Sequence, residues 1–182
     1  MKQEVGRIFP RMPVQDTLTY AFFGVFMRFE YALKEHGFAR GGAREVSADW
    51  EGYSDAIDQD LRDIEDEGFL SAVEYLLVAP PRKQVLINGA LDWKDSPPDK
   101  RLTKARQVLL MVRRVRNNLF HGAKIWIPDG DGLERNARLV QSSLIVLVGC
   151  APLHPRVRFG LRRIDAHILE ACGIGANSDA HA

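Results

Sequence analysis

Cysteine is scarce: Cys150 and Cys172 are the only two in 182 residues, and no CxxC spacing relates them. That excludes a disulfide scaffold and fits a reducing compartment with both thiols free. No charge of one sign dominates. Lys plus Arg number 25 against 24 for Asp plus Glu, a formal charge of +1. There is therefore no global pull toward nucleic acid or an anionic membrane, and any electrostatic function has to be local. Long apolar runs are missing too: the longest clean one, Leu144 to Val148, falls far short of the roughly 20 residues of a membrane helix. The opening MKQEVGRIFPRMP scatters its charges and has no apolar stretch of the signal-peptide kind, so a cytoplasmic protein is expected. Internal repeats and strand–helix–strand alternation are likewise absent.

The composition that remains, 46% hydrophobic and 27% charged, is that of one ordinary globular domain. At this length about two-thirds of the unfolded surface can be buried, so the core needs no metal, disulfide or cofactor to hold it. Residues 16–36 place Leu18, Phe22, Val25, Phe26, Phe29 and Leu33 at helical spacing, with Asp16 as N-cap and Gly37 as the stop. Residues 37–53 hold four glycines and no sustained period, which reads as a connecting loop. Helical character resumes over 54–79 with Ser54 as cap and Gly68 as an interruption, and Pro80-Pro81 ends it. Between 82 and 95, Val85-Leu86-Ile87, Asn88-Gly89 and Ala90-Leu91-Asp92-Trp93 carry the signal of a short type I′ hairpin, with a loop as the competing reading.

The clearest helix is 100–121, with Val108, Val112, Val115 and Leu119 on one stripe and Gly122 as its stop. Further helices are read over 132–150 and about 156–172, and a frayed tail over 173–182. The expectation is an all-α bundle of about five or six helices in a single domain, core about 15–150, with a possible hairpin insertion at 82–95.

Although the totals cancel, the charge is segregated. Residues 45–74 carry eleven acids against one arginine, Arg62, whereas residues 99–124 carry eight cations against Asp99 alone. Either both are solvated faces that neutralise each other, or the basic helix meets phosphates, with the acidic stretch shielding it until RNA or a partner displaces it. Asp58, Asp60 and Asp63 lack the loop geometry of a divalent-ion site, so no metal is expected.

Chemistry gathers at the end of the basic helix, in Arg113-Arg114-Val115-Arg116-Asn117-Asn118-Leu119-Phe120-His121-Gly122. Arg113, Asn117 and His121 are spaced i, i+4, i+8 and fall near one line, while Arg116 lies about 140° round from His121. An imidazole titrating near neutrality can take a proton from an RNA 2′-hydroxyl or give one to the leaving 5′-oxygen, and a guanidinium can hold the charge that builds on phosphate. A helix C-terminus favours the imidazolium, by about 0.3–1 kcal/mol. One histidine cannot easily serve as acid and base together, but two copies in a two-fold dimer can divide the roles. Read singly, His121 is a helix-end residue beside a glycine stop, and Arg116 and Asn117 are a surface ion pair and a side-chain cap.

The segment Arg116-Asn117-x-x-x-His121 resembles the R-x4–6-H signature of the HEPN superfamily, including the polar residue directly after the arginine. Its place on a late helix, the basic approach to it and a first helix bearing RFEYALK extend the resemblance loosely over about 15–150. The resemblance implies an all-α homodimer with two motifs facing one cleft. It also implies a metal-independent endoribonuclease that leaves 2′,3′-cyclic phosphate and acts as a toxin or defence effector, with an antitoxin or nucleotidyltransferase as a further partner. In that reading Arg116 polarises the phosphate, His121 transfers protons, and Asn117 orients His121 or the substrate. Arg113, Arg114 and Lys124 are added as substrate-binding residues from charge and proximity alone. Two other readings stand beside it: a non-catalytic member that binds RNA or a nucleotide, and a helical interaction module using the acidic face or the Trp50, Trp93 and Trp126 surface.

Overall fold

A computed structural model describes Val14 and residues 16–120 and 130–161. Among these the chain is mostly helical, with six α-helices and two small antiparallel hairpins. The helices are α1 (Asp16–Glu35), α2 (Trp50–Arg62), α3 (Glu67–Val78), α4 (Lys104–Phe120), α5 (Gly130–Cys150) and α6 (Pro155–Leu161). The hairpins are β1 (Ala39–Gly41) with β2 (Val46–Ala48), and β3 (Lys83–Ile87) with β4 (Ala90–Lys94). The helical stretch expected over 54–79 with an interruption is two helices, the first beginning at Trp50, the 82–95 hairpin is present, and residues 162–172 of the expected last helix lie outside the described residues.

The core forms where the apolar stripes meet. Phe22, Val25, Phe29 and Leu33 of α1, Tyr53, Ile57 and Leu61 of α2, Phe69, Val73 and Leu76 of α3 and Val108, Leu109, Met111 and Val112 of α4 are buried together. Helix α5 packs on α1, α3 and α4, burying Leu139, Val140, Leu144, Val146, Leu147 and Cys150. Among the described residues, Gly132–Leu153 is the one stretch long and apolar enough to cross a membrane by length and composition. Here it is the helix on which three others rest. The C-terminal corner is pinned where the Tyr53 hydroxyl donates to the Cys150 carbonyl at 2.7 Å, which also places His154 against Phe38.

Local chemistry overturns three expectations. The loop expected over 37–53 contains β1 and β2, three-residue exposed strands with no apolar alternation to betray them. Gly41 makes their turn possible: its φ is 127°, and a side chain there would strike the Glu45 carbonyl. Ser54 is not a cap. Asp49 caps α2, accepting from the Gly52 amide at 2.9 Å, while the Ser54 hydroxyl donates back to the Trp50 carbonyl inside the helix. Nor does Gly68 interrupt the helical stretch. The break falls between Arg62 and Glu67, where Asp66 caps α3 by accepting from the Phe69 amide at 2.7 Å, and Gly68 sits in the first turn that follows. Asp16 itself opens α1. The β3–β4 turn is as the Asn88-Gly89 pair predicts, with φ of 51° and 80°.

Packing of α5 on α3 depends on Gly149, whose missing Cβ leaves room for the ring of buried Phe69. Gly149→Ala is expected to cost about 1–3 kcal/mol by overpacking, read as a lowered midpoint in denaturant unfolding. An unchanged midpoint would show that the Phe69 ring has room to move.

Candidate functional site

Helix α4 carries both core and cations, and its burial decides where the cations go. With Ala105, Val108, Leu109, Met111, Val112 and Val115 turned inward, the basic side chains share the remaining arc. The acidic segment takes charge of the N-terminal end only. Arg106 forms a two-point ion pair with Asp55, which holds the Asp55 carboxyl below the usual range. The Asp58 carboxylate receives the Ala105 amide at 2.9 Å in the first turn of α4, where a negative charge meets the positive helix end. Asp58 is also occupied by Arg62 at 2.7 Å, and no described His, Cys, Asp or Glu residues gather as a metal-binding group.

Further along α4 the cations have no such partners. Among the described residues Arg113, Arg114 and Arg116 make no ion pair. Arg113 is half-buried over the Trp50 ring, 5.9 Å from its centre. Burial lowers the pKa of its guanidinium, against the raising influence of Glu30 and Glu51. The Trp50 indole is itself fixed, stacked on Phe29 at 5.5 Å and donating to Glu30 at 3.2 Å. Arg116 lies over the Phe26 ring at 5.4 Å and donates to the Oδ1 of its neighbour Asn117 at 3.0 Å. The two motif residues therefore touch, with Asn117 exposed and Arg116 half-buried.

Arg114 and Asn118, one turn apart, face the base of the β3–β4 hairpin. The Arg114 guanidinium donates to the carbonyls of Pro81, at 3.1 Å, and Ser96. The Asn118 amide donates to the Arg82 carbonyl at 2.7 Å. Arg82 then pairs with Asp95 across the hairpin's foot at 3.0 Å. Sequence reasoning gave Arg114 to the substrate and no role to Asn118. The structure gives both a second task, clamping the hairpin beside the motif, and no pattern in the sequence pointed to those backbone carbonyls.

Between hairpin and helix lies an open groove of about 440 Å³, lined by Lys83, Gln84, Leu110, Arg113, Arg114, Asn117 and Asn118. Three cations and three amides face it, and among the described residues that line it there is no carboxylate. Of the residues singled out in sequence, Arg113, Arg114 and Asn117 meet in this groove, and Arg116 is bound to Asn117 at its edge. Lys83 is the addition sequence reasoning missed. His121 and Lys124 lie outside the described residues, as does Trp126. Such an arrangement can hold phosphate groups by charge-assisted hydrogen bonds from guanidinium and ammonium groups. No family model, curated protein or solved structure matches the chain.

If Arg114 clamps the hairpin, Arg114→Ala frees two carbonyls at its foot and is expected to cost about 1–3 kcal/mol locally. Amide hydrogen exchange should then quicken across residues 82–95 while α1 and α2 keep their protection. Equal protection in the hairpin of variant and wild type would contradict the clamp.

Proposed function

We propose that this protein is a metal-independent endoribonuclease of the HEPN type that works as a homodimer. The observation that carries the reading is the groove in which Lys83, Arg113, Arg114 and Asn117 meet, at whose edge Arg116 and Asn117 are hydrogen-bonded. A half-desolvated guanidinium such as Arg113, which feels Glu30 and Glu51 but forms no ion pair among the described residues, gains more from an arriving phosphate than a hydrated one does.

The reaction follows from the groups available. One His121 imidazole removes the proton of an RNA 2′-hydroxyl, whose oxygen attacks the adjacent phosphorus. The phosphorus–5′-oxygen bond breaks, and a second His121, from a partner subunit, returns a proton to the leaving oxygen. The products are a 2′,3′-cyclic phosphate and a 5′-hydroxyl. Arg116 stabilises the charge on the non-bridging oxygens, with Asn117 holding its guanidinium in place. Imidazole and guanidinium together supply acid, base and charge stabilisation, so the scheme calls on no metal.

An exposed stripe on α1 supports the dimer. Tyr20, Phe23, Met27 and Tyr31 recur at helical spacing with 75%, 41%, 49% and 59% of their surface open. The stripe borders Phe26, the ring beneath Arg116, so a second copy seated there would bring its own motif toward the first.

Purified protein incubated with mixed RNA in EDTA is expected to release cyclic-phosphate 3′ ends. His121→Ala and Arg116→Ala should each slow cleavage by about 10²-fold or more, with unchanged circular dichroism. Cleavage that persists in His121→Ala would contradict the mechanism, and intact RNA throughout would leave a binding module. The dimer is tested separately: Met27→Asp with Tyr31→Asp should sediment as a monomer and lose cleavage, whereas a wild type that cleaves as a monomer would remove the second subunit from the scheme.

A further inference from the structure

The β3–β4 hairpin is exposed where a soluble protein would ordinarily cover it, and yet it is firmly held. Leu86 and Leu91 have 68% and 70% of their surface open, and Ile87 has 49%. Leu86 stands directly across from Leu91, and Gln84 from Trp93. Alternate pairs share a face, so Leu86, Leu91, Gln84 and Trp93 form one surface, and Gln84 lines the groove. A two-stranded hairpin is marginal in water by itself. This one is kept in place by Arg114 and Asn118 of the motif helix.

A second observation concerns charge. Lys83 is paired directly opposite Lys94, and the next pair on that face sets Asp92 opposite Val85, so a carboxylate of the hairpin shares the face of the two lysines. Among the described residues neither lysine forms an ion pair. Lys83 lines the groove with Arg113 and Arg114. The hairpin thus offers cations at its foot and large apolar side chains toward its tip. Those are the two kinds of contact that single-stranded nucleic acid requires, one for its phosphates and one for its unstacked bases.

Resting on the ribonuclease reading, we propose that the β3–β4 hairpin is the second wall of the substrate groove. Lys83, which reaches the groove from the hairpin's foot, and Arg113 opposite it hold phosphates flanking the scissile bond, and Leu86 and Leu91, on the face of Gln84, receive an unstacked base. The clamp by Arg114 and Asn118 makes the wall rigid, so little ordering is left to be done when RNA binds. This gives the enzyme a preference for single strands, because a base paired within a duplex cannot be presented to the apolar tip.

The test uses the full chain carrying His121→Ala, so that RNA is bound and not cut, with a fluorescein-labelled oligoribonucleotide of mixed sequence in EDTA, read by anisotropy across a salt series. Adding Lys83→Ala should weaken binding and flatten the slope of log K against log salt by about 0.7. Adding Leu86→Ser and Leu91→Ser should weaken binding about tenfold and leave that slope unchanged. Arg44→Ala, in the exposed turn between β1 and β2, should change neither, and an unlabelled duplex should compete less well than the single strand. Hairpin variants that bind as tightly as their parent would overturn the wall and leave the ribonuclease reading standing, as would equal competition by duplex. A wild type that neither binds nor cuts RNA would overturn both. Circular dichroism of each variant separates a lost contact from a lost fold.

Discussion

Helix α4 must bury one face and carry its cations on the other, and most of what is distinctive in this molecule depends on how that conflict is resolved. Six apolar side chains between Ala105 and Val115 are committed to the core, which leaves the arginines of the helix the remaining arc, from Arg116 on the α1 side to Arg114 on the hairpin side. The first turns are neutralised by Asp55 and Asp58 from α2. The last turns are not, and there Arg113, Arg114 and Arg116 are met by aromatic rings, backbone carbonyls and an amide. Among the described residues this run of guanidinium groups has no ion pair, which leaves its charge available to an anion.

The same arc explains the hairpin. Arg114 and Asn118 hold β3 and β4 by their flanking backbone, so structure and function draw on alternate residues of one short sequence. Arg113 and Asn117 face the groove, Arg114 and Asn118 serve its far wall, and Arg116 leans across Phe26 toward α1. Changes at any of these positions should therefore separate into effects on the fold and effects on ligand, according to which neighbour is lost.

Much of the fold was legible where apolar spacing is regular. The long runs of α1, α4 and α5 follow the helical period, and Asn88-Gly89 carries its turn in its own dihedral preference. What escaped was set by polar side chains. The caps at Asp49 and Asp66, and the exposed three-residue strands at 39–41 and 46–48, leave no hydrophobic pattern, because their stability comes from hydrogen bonds and ion pairs such as Arg40 with Asp49 and Glu51. In the site, the contiguity of Arg113, Arg114, Arg116 and Asn117 could be read from helical spacing, whereas Lys83 could not. It reaches the groove across more than 25 residues of sequence, through a hairpin whose docking uses carbonyl groups common to every residue.

The proposed ligand site is the hairpin-facing last turns of α4 and not its acid-neutralised first turns. Ultraviolet crosslinking of 4-thiouridine RNA to the intact His121→Ala protein, followed by mass spectrometry of the attached peptides, tests it most directly. The account predicts crosslinks within residues 83–94 and 110–117. Crosslinks concentrated on α2 or on the first turn of α4, with none in the hairpin, would contradict it.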